Sequence, residues 1–179
     1  MKQRRELIFF ISALAGIAAL MAAELSCGAA GADAEVIRLL RLPRAVTAVL
    51  AGAALSLAGA QMQSVLRNPL ADPHIMGVSS GAALGAALAT MWSNAGTTTG
   101  LTTAGAAFMG AAATATLIMI ISRRLRSADT LLIFGVMLGF IVNAIISILQ
   151  FSSDGESLKT FYSWSAGSFA TTSWKELLI

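Results

Sequence analysis

Long apolar runs without any charged residue alternate with short polar segments along this chain. Three runs contain no Asp, Glu, Lys or Arg: Leu7–Ala23, Ala45–Leu66 and Thr130–Ser153. The stretch Ile75–Ser122 is also uncharged and is long enough for two passes through a bilayer. Because a hydrocarbon core of about 30 Å requires about 20 apolar residues per helix, the pattern predicts five membrane helices. They are expected at residues 7–23, 45–66, 75–92, 101–122 and 130–151.

Composition leads to the same class of protein. Of the 179 residues, 56% are hydrophobic and 12% are charged, whereas soluble domains carry about 25% charged residues. The chain therefore has too few charges to cover a water-facing surface, which excludes a soluble enzyme, a secreted disulfide scaffold and a disordered tail. We predict an all-α polytopic membrane protein in which residues 152–179, polar and aromatic, form an interfacial segment.

The N-terminus carries basic residues before its first apolar run, which is also how a secretory signal peptide begins. The sequence Glu24-Leu25-Ser26-Cys27 even resembles a lipoprotein cleavage box. However, Glu24 stands where such a box requires an aliphatic residue, and the rest of the chain is strongly apolar. We therefore expect an uncleaved first membrane helix.

The charges between the apolar runs predict the orientation in the membrane, since cytoplasmic loops carry an excess of Lys and Arg. With the N-terminus in the cytoplasm, seven basic and three acidic residues lie inside, against five basic and six acidic residues outside. The triple-arginine loop after the fourth helix (Arg123, Arg124, Arg126) is the strongest local anchor. The sequence therefore favours a cytoplasmic N-terminus, which places residues 152–179 on the outer side of the membrane.

Residues suited to catalysis or metal binding are scarce. The chain has a single cysteine, Cys27, and a single histidine, His74, which follows Pro73 and is interpreted as a loop residue. No pair of carboxylates lies within a predicted span, so a proton relay is unsupported, and no Gly-x-x-x-x-Gly-Lys-Ser/Thr motif is present. We expect no catalytic residue, metal site or cofactor in this chain, and any ATP would be bound by another subunit.

Small residues recur at helical spacing in two of the predicted helices. Gly77, Gly81 and Gly85 are four residues apart, and Gly52 and Gly59 lie among alanines in the second helix. Because lipid provides no hydrophobic drive between helices, small residues that permit close backbone approach favour association. We interpret these five glycines as helix-packing positions.

The fifth predicted helix carries small and polar residues at spacings of four, four, four and three: Gly135, Gly139, Asn143, Ser147 and Gln150. Polar groups at membrane depth face a cavity or another helix, because a lipid-facing polar group is left unpaired. Two interpretations stay open for Asn143, Ser147 and Gln150, namely helix packing and the lining of a pathway.

Three stretches resemble a known family in their particular residues, and not only in their overall composition. They are Leu40-Arg41-Leu42-Pro43-Arg44 leading into residues 51–63, the block Arg67-Asn68-Pro69-Leu70-Ala71-Asp72-Pro73-His74 continuing to Ala82, and Trp164-Ser165-Ala166-Gly167-Ser168 followed by Ser173-Trp174. In order along the chain, they resemble the FecCD-type permeases of type II ABC importers, which carry iron-siderophore complexes, haem or vitamin B12.

This resemblance implies a homodimeric permease of about ten helices per subunit, with two ATPase subunits that hold ATP and Mg²⁺ and a substrate-binding protein at the outer face. Arg41 and Arg44 match the arginines that dock the binding protein, and anchoring in the head-group region is the alternative role. The resemblance places the fifth helix beside the pathway, and it places Asn68 and Pro69 in a cytoplasmic turn, where proline presets a dihedral angle and asparagine caps the next helix.

The family is about twice as long as this chain, so the resemblance covers the N-terminal half of a permease. The leading hypothesis is a permease subunit for an iron complex or cobalamin, working by alternating access and driven by ATP hydrolysis on its partner. The second is a truncated membrane partner or regulatory half-permease that does not transport. The third, a proton-coupled carrier, lacks the buried carboxylates it would need.

Overall fold

The computed structural model describes residues 2–26, 33–69, 71, 72, 74, 76–92, 100–125, 127–170 and 172–177 of the chain. Every regular element in these ranges is helical. The helices are α1 (Lys2–Ser26), α2 (Ala34–Val36), a π-helical turn (Ile37–Arg41), α3 (Leu42–Leu66), α4 (Val78–Trp92), α5 (Gly100–Ser122), α6 (Ala128–Phe151), α7 (Gly155–Ala166) and α8 (Trp174–Leu177).

Four of the described helical stretches are long and apolar enough to cross a bilayer: Arg4–Ser26, Ala34–Leu66, Gly100–Ser122 and Ala128–Phe151. The remaining predicted helix, expected at residues 75–92, corresponds to α4, whose 15 described residues extend about 22 Å at 1.5 Å per residue. Outward-facing side chains are large and apolar, as with Phe9 at 76% exposure and Phe108 at 76%. Such continuous apolar surface fits lipid rather than water, so the predicted class of multi-pass all-α membrane protein is confirmed.

The chain divides into two compact units. The first, called the terminal unit here, comprises Met1–Ala54 and Ser168–Ile179. The second, called the bundle unit, comprises Leu55–Gly167. In the bundle unit α4 is the central helix, because α5, α6 and α7 all pack against it.

Helix α4 begins later than the sequence predicted, and Gly77 is the reason. Its φ angle is +77°, which belongs to the left-handed region and cannot continue a right-handed helix. A Cβ at this position would also lie 2.9 Å from the carbonyl oxygen of Gly135. The predicted start at Ile75 lies outside the described residues, and the helix itself runs from Val78.

The polar residues between the first two predicted helices, 24–44, are largely helical where the structure describes them. From Ala34 the backbone forms α2, then the π-helical turn, and continues into α3 without a break. The predicted start of the second membrane helix at Ala45 was therefore too late. Charged residues are compatible with a helical backbone, so the charges of this segment did not mark the start of the helix. Residues 27–32, including Cys27, lie outside the described residues.

Residues 152–179, predicted as an interfacial segment, contain a packed helix. Helix α7 buries Ser157 and Phe161 in the bundle unit, leaving Phe161 only 4% exposed. Phe161 joins a core cluster with Ala86, Val142 and Ile146. One face of this segment is therefore part of the helical core and does not simply lie along the membrane surface.

Asp154 begins α7 as its N-cap residue. Its Oδ2 accepts hydrogen bonds from the backbone N–H groups of Glu156 at 3.2 Å and Ser157 at 3.3 Å. These donors would otherwise lack partners at a helix start. Hydrogen bonding from the Ser157 side chain, and next from its backbone N–H, holds the pKa of Asp154 below its ordinary value of 3.8.

The cap makes the start of α7 sensitive to acid. Since the pKa of Asp154 is lowered in the folded state, its stabilising contribution is complete well above pH 3.8 and is lost as the pH falls through the folded pKa. We expect the amide proton shifts of Glu156 and Ser157 to titrate in that acid range when NMR spectra are recorded in lipid nanodiscs.

The variant Asp154→Asn is the matched control for this titration, because it keeps an oxygen acceptor and removes the ionisable group. We expect its amide shifts to stay flat over the same pH range, while Asp154→Ala loses the cap at every pH. An identical titration in the wild type and in Asp154→Asn would contradict the assignment.

Candidate functional site

The two residues predicted to dock a partner, Arg41 and Arg44, lie together in the terminal unit, and both contact the end of α1. Arg44 Nε lies 3.3 Å from Glu24 Oε1, forming an ion pair. Arg41 donates from Nη1 to the backbone carbonyl of Leu25 at 2.9 Å. The last carbonyls of a helix attract cations, and Arg41 supplies a donor to one carbonyl of the last described turn of α1.

The ion pair leaves the charge of Arg44 accessible. The side chain of Arg44 is 54% exposed and that of Glu24 is 38% exposed. Exposed ion pairs of this kind contribute only about 0–1 kcal/mol, so Arg44 can exchange Glu24 for another carboxylate at small cost. Sequence reasoning did not identify Glu24 as the partner of Arg44, because their pairing depends on how the chain returns from α1 to α3.

Trp174 is a second residue of this region that sequence reasoning did not assign to a site. Its indole Nε1 donates to the backbone carbonyl of Arg38 at 2.8 Å. Beside this bond lies a cleft of about 650 Å³ lined by Ala34, Glu35, Arg38, Leu39 and Trp174. The indole therefore contacts the stretch of the terminal unit that carries Arg38, Arg41 and Arg44, which we call the arginine segment (residues 38–44).

The polar stripe predicted on the fifth membrane helix is divided in the structure. Gly135 and Gly139 are buried, and the buried face of α6 continues through Val142 and Ile146. Asn143 and Ser147 are exposed and Gln150 is half-buried. The single stripe was therefore wrong as a description of one face.

Helical geometry explains this division. A helix advances about 100° per residue, so each step of four residues drifts by about 40°. Relative to Gly135, Val142 and Ile146 stay within about 20°, whereas Asn143 and Ser147 have rotated by about 80° and 120°. Steps of four carry the polar residues off the face that the glycines occupy.

The side chains of Asn143 and Ser147 find few hydrogen-bond partners within the described part of the chain. The Ser147 hydroxyl donates to the Asn143 backbone carbonyl at 3.0 Å, while the Asn143 side chain faces outward from the bundle unit. Asn143 lies near the middle of the 24-residue helix, at a depth where a polar group requires a partner or water. Packing and pathway lining both stay predictions for these residues.

Three of the five predicted packing glycines lie at close helix contacts. A Cβ on Gly81 would meet Thr114 and, at 2.8 Å, the Gly110 carbonyl, and a Cβ on Gly85 would meet the Ala106 carbonyl. Gly77 approaches Gly135 and Gly139 in the same way. In the described part of the chain no atom lies within 4 Å of a Cβ built on Gly52 or Gly59, so packing at these two positions stays a prediction.

The turn predicted at Asn68 and Pro69 closes α3. Arg67 adopts φ +49°, and the Asn68 N–H donates to the Gln63 carbonyl at 3.3 Å, which is the hydrogen bond of a Schellman motif. The Gln63 side chain donates to the Pro69 carbonyl at 3.1 Å. The sequence predicted that Asn68 caps the next helix. This was wrong, because α4 begins only at Val78.

Candidate metal ligands are not grouped in the regions that the structure describes, where no three His, Cys, Asp or Glu residues lie together. His74 is exposed, and its backbone N–H donates to Asp72 Oδ1 at 2.7 Å. Arg126, the third arginine of the predicted cytoplasmic anchor, and Pro73 lie outside the described residues.

The geometry defines a multi-pass helical membrane protein with a glycine-packed bundle unit and a basic segment at the start of its second long helical stretch. The model of the FecCD transport family matches residues 6–179. The chain belongs to the FecCD transport family. The resemblance drawn from the arginine, Asn-Pro-Leu-Ala and tryptophan motifs is thereby confirmed.

Curated relatives of this chain are permease proteins of import systems. It is 40% identical over 147 residues to a molybdate import system permease protein of Haemophilus influenzae, covering 80% of this chain and 42% of that protein. A hemin transport system permease protein of Yersinia pestis is 36% identical, covering 78% of this chain and 43% of the relative. A vitamin B12 import system permease protein of Klebsiella pneumoniae is 35% identical, with 77% and 41% covered.

A solved structure agrees with the fold. It is an inward-facing conformation of a protein assigned to the metal-chelate type of ABC transporter, with a TM-score of 0.82 at 31% identity. The match covers 97% of this chain and 57% of that one. The chain thus spans about two fifths of the length of the curated relatives, and these relatives are transport components rather than enzymes.

Proposed function

We propose that this chain forms the N-terminal part of the permease subunit of an ATP-driven importer. The observation that carries the proposal is the family match over residues 6–179, supported by the helical fold that this chain shares with an ABC transporter over 97% of its length. The subunit performs no chemistry on its cargo, and it moves the cargo by alternating access between the two sides of the membrane.

The proposed cargo is a metal-containing compound delivered by a substrate-binding protein. Iron-siderophore complexes, haem and cobalamin are the cargo that the sequence motifs favour. The molybdate permease among the relatives adds a metal oxyanion to the compounds that need testing. Asn143, Ser147 and Gln150 are proposed to face the pathway, since outward polar groups on α6 require water or a polar partner.

The proposed assembly contains two copies of the permease, two ATPase subunits that hold ATP and Mg²⁺, and the binding protein. We propose an inner-membrane location with the N-terminus in the cytoplasm, because the Lys and Arg residues favour that orientation. The arginine segment then faces outward, where Arg41 and Arg44 meet acidic residues of the binding protein. Complementary charge at such a contact increases the rate and specificity of association.

Transport is tested by purifying the tagged protein with its associated subunits and reconstituting the assembly in proteoliposomes. Uptake of radiolabelled ferric siderophore, haem, cobalamin and molybdate is measured with and without ATP, in the presence of the binding protein. We expect ATP-dependent uptake of one of these compounds. A stable assembly that takes up none of the four would contradict the proposal and support a non-transporting membrane partner.

A further inference from the structure

The π-helical turn at the start of α3 leaves one backbone carbonyl without a helical donor. The N–H of Leu42 donates to the carbonyl of Ile37, five residues earlier. In an α-helix the same N–H would serve the carbonyl of Arg38. In a continued π-helix the carbonyl of Arg38 would instead accept from residue 43.

Residue 43 is a proline, which has no N–H to donate. Neither helical pattern can therefore satisfy the carbonyl of Arg38 while Leu42 serves Ile37. Arg38 itself is exposed, so without a donor from the protein its carbonyl would depend on water. A donor from the protein favours the backbone conformation that keeps the bond, because an intramolecular hydrogen bond is net stabilising.

Trp174 supplies the missing donor from the other end of the sequence. Its Nε1 reaches the Arg38 carbonyl at 2.8 Å, across a separation of 136 residues. The indole ring lines the cleft next to Ala34, Glu35 and Leu39, at the same turn. The hydrogen bond therefore acts on the turn whose last residue is Arg41.

We propose that Trp174 is a positioning residue for the arginine segment, and that its indole N–H holds the π-helical turn by replacing the N–H that Pro43 lacks. A π-helical turn holds one residue more than an α-helical turn, and one residue corresponds to a rotation of about 100°. Loss of the turn would rotate residues 34–36 relative to α3 and move Arg41 from its contact with Leu25. Only the consequence for docking rests on the proposed function.

The test is a double-mutant cycle between Trp174 and Pro43, carried out on the full chain in lipid nanodiscs. The measured quantity is the rate of hydrogen–deuterium exchange of the backbone amides in residues 37–44. Trp174→Phe removes the donor, and we expect exchange in this segment to become about fivefold faster, as for loss of one hydrogen bond. Replacement of Trp174 by β-(3-benzothienyl)alanine keeps the ring shape and removes the N–H, so it should have the same effect.

The variant Pro43→Ala restores a backbone N–H at position 43. If Trp174 substitutes for that N–H, Trp174→Phe should change exchange by less than about twofold in the Pro43→Ala background. Trp164→Phe is the matched control, because Trp164 is also half-buried but packs in the bundle unit. We expect this control to leave residues 37–44 unchanged.

Equal effects of Trp174→Phe in the wild-type and Pro43→Ala backgrounds would overturn the proposal, because they would show that only ring packing matters. Unchanged exchange in the benzothienyl variant would overturn it too. Affinity for the binding protein is measured on the same variants, and we expect it to fall in Trp174→Phe and to recover in the double variant. If removal of Arg41 and Arg44 leaves that affinity unchanged, the docking role fails, while the exchange cycle still decides the role of Trp174.

Discussion

Gly85→Ala is expected to destabilise the protein by about 3 kcal/mol, at the upper end of the usual cost of overpacking. The added methyl group would collide with the backbone of Ala106, whose carbonyl carbon lies 2.8 Å from the Cβ position, and would lie 3.2 Å from Ala107 Cα. Backbone atoms cannot rotate away as a flexible side chain can, so α4 and α5 must separate. The measurement is the free energy of unfolding in lipid bicelles by steric trapping.

Gly105→Ala on α5 is the matched control for this substitution. No atom lies within 4 Å of a Cβ at Gly105 among the described residues, and alanine is a better helix former than glycine by about 1 kcal/mol. We therefore expect Gly105→Ala to be neutral or slightly stabilising. If both variants unfold at the same free energy, the close contact between α4 and α5 does not support the bundle unit.

The double variant Arg41→Gln, Arg44→Gln is expected to weaken binding of the substrate-binding protein by about tenfold to a hundredfold. This range corresponds to the net loss of one charge-assisted contact, which contributes about 1.5–3 kcal/mol. The dependence of affinity on salt should become shallower, because screening acts on the charges that were removed. Surface plasmon resonance with the permease in nanodiscs measures both quantities.

Arg4→Gln, Arg5→Gln is the control with the same loss of charge at the other end of α1. Under the proposed orientation these residues face the cytoplasm, so binding at the outer face should not change. Glu24→Gln gives an opposite expectation, since it frees Arg44 from its ion pair and should strengthen binding by up to about fivefold. Equal affinities for the two arginine double variants would remove the docking role and leave Arg41 and Arg44 as anchors at the membrane surface.

Several features of this protein were accessible from sequence because they depend on local chemistry. A span of about 20 residues without charge can satisfy its own backbone only as a helix in lipid, which is why α5 and α6 were predicted within two residues of their observed bounds. The start of α4 was not accessible in this way. It depends on the left-handed conformation of Gly77, and a glycine permits that conformation without requiring it.

The candidate site could be predicted from the sequence only in part. The motif around Pro43 directed attention to Arg41 and Arg44, but their contacts with Leu25 and Glu24 depend on how α1 meets the next segment. The missing N–H of Pro43 was visible in the sequence, and it could have indicated an orphaned carbonyl nearby. It could not identify Trp174 as the donor, because nothing local relates residues so far apart.

The sequence by itself determined the class of protein, the approximate membrane spans and the family, because charge-free runs and short motifs carry that information locally. The tertiary structure alone decided which small residues make contacts. Gly81 and Gly85 meet α5, while Gly52 has open space among the described residues, although all three lie in apolar helices. Spacing shows which residues share a helical face, but only the packed neighbour shows which face is buried, since lipid and another apolar helix are nearly equivalent surroundings for a side chain.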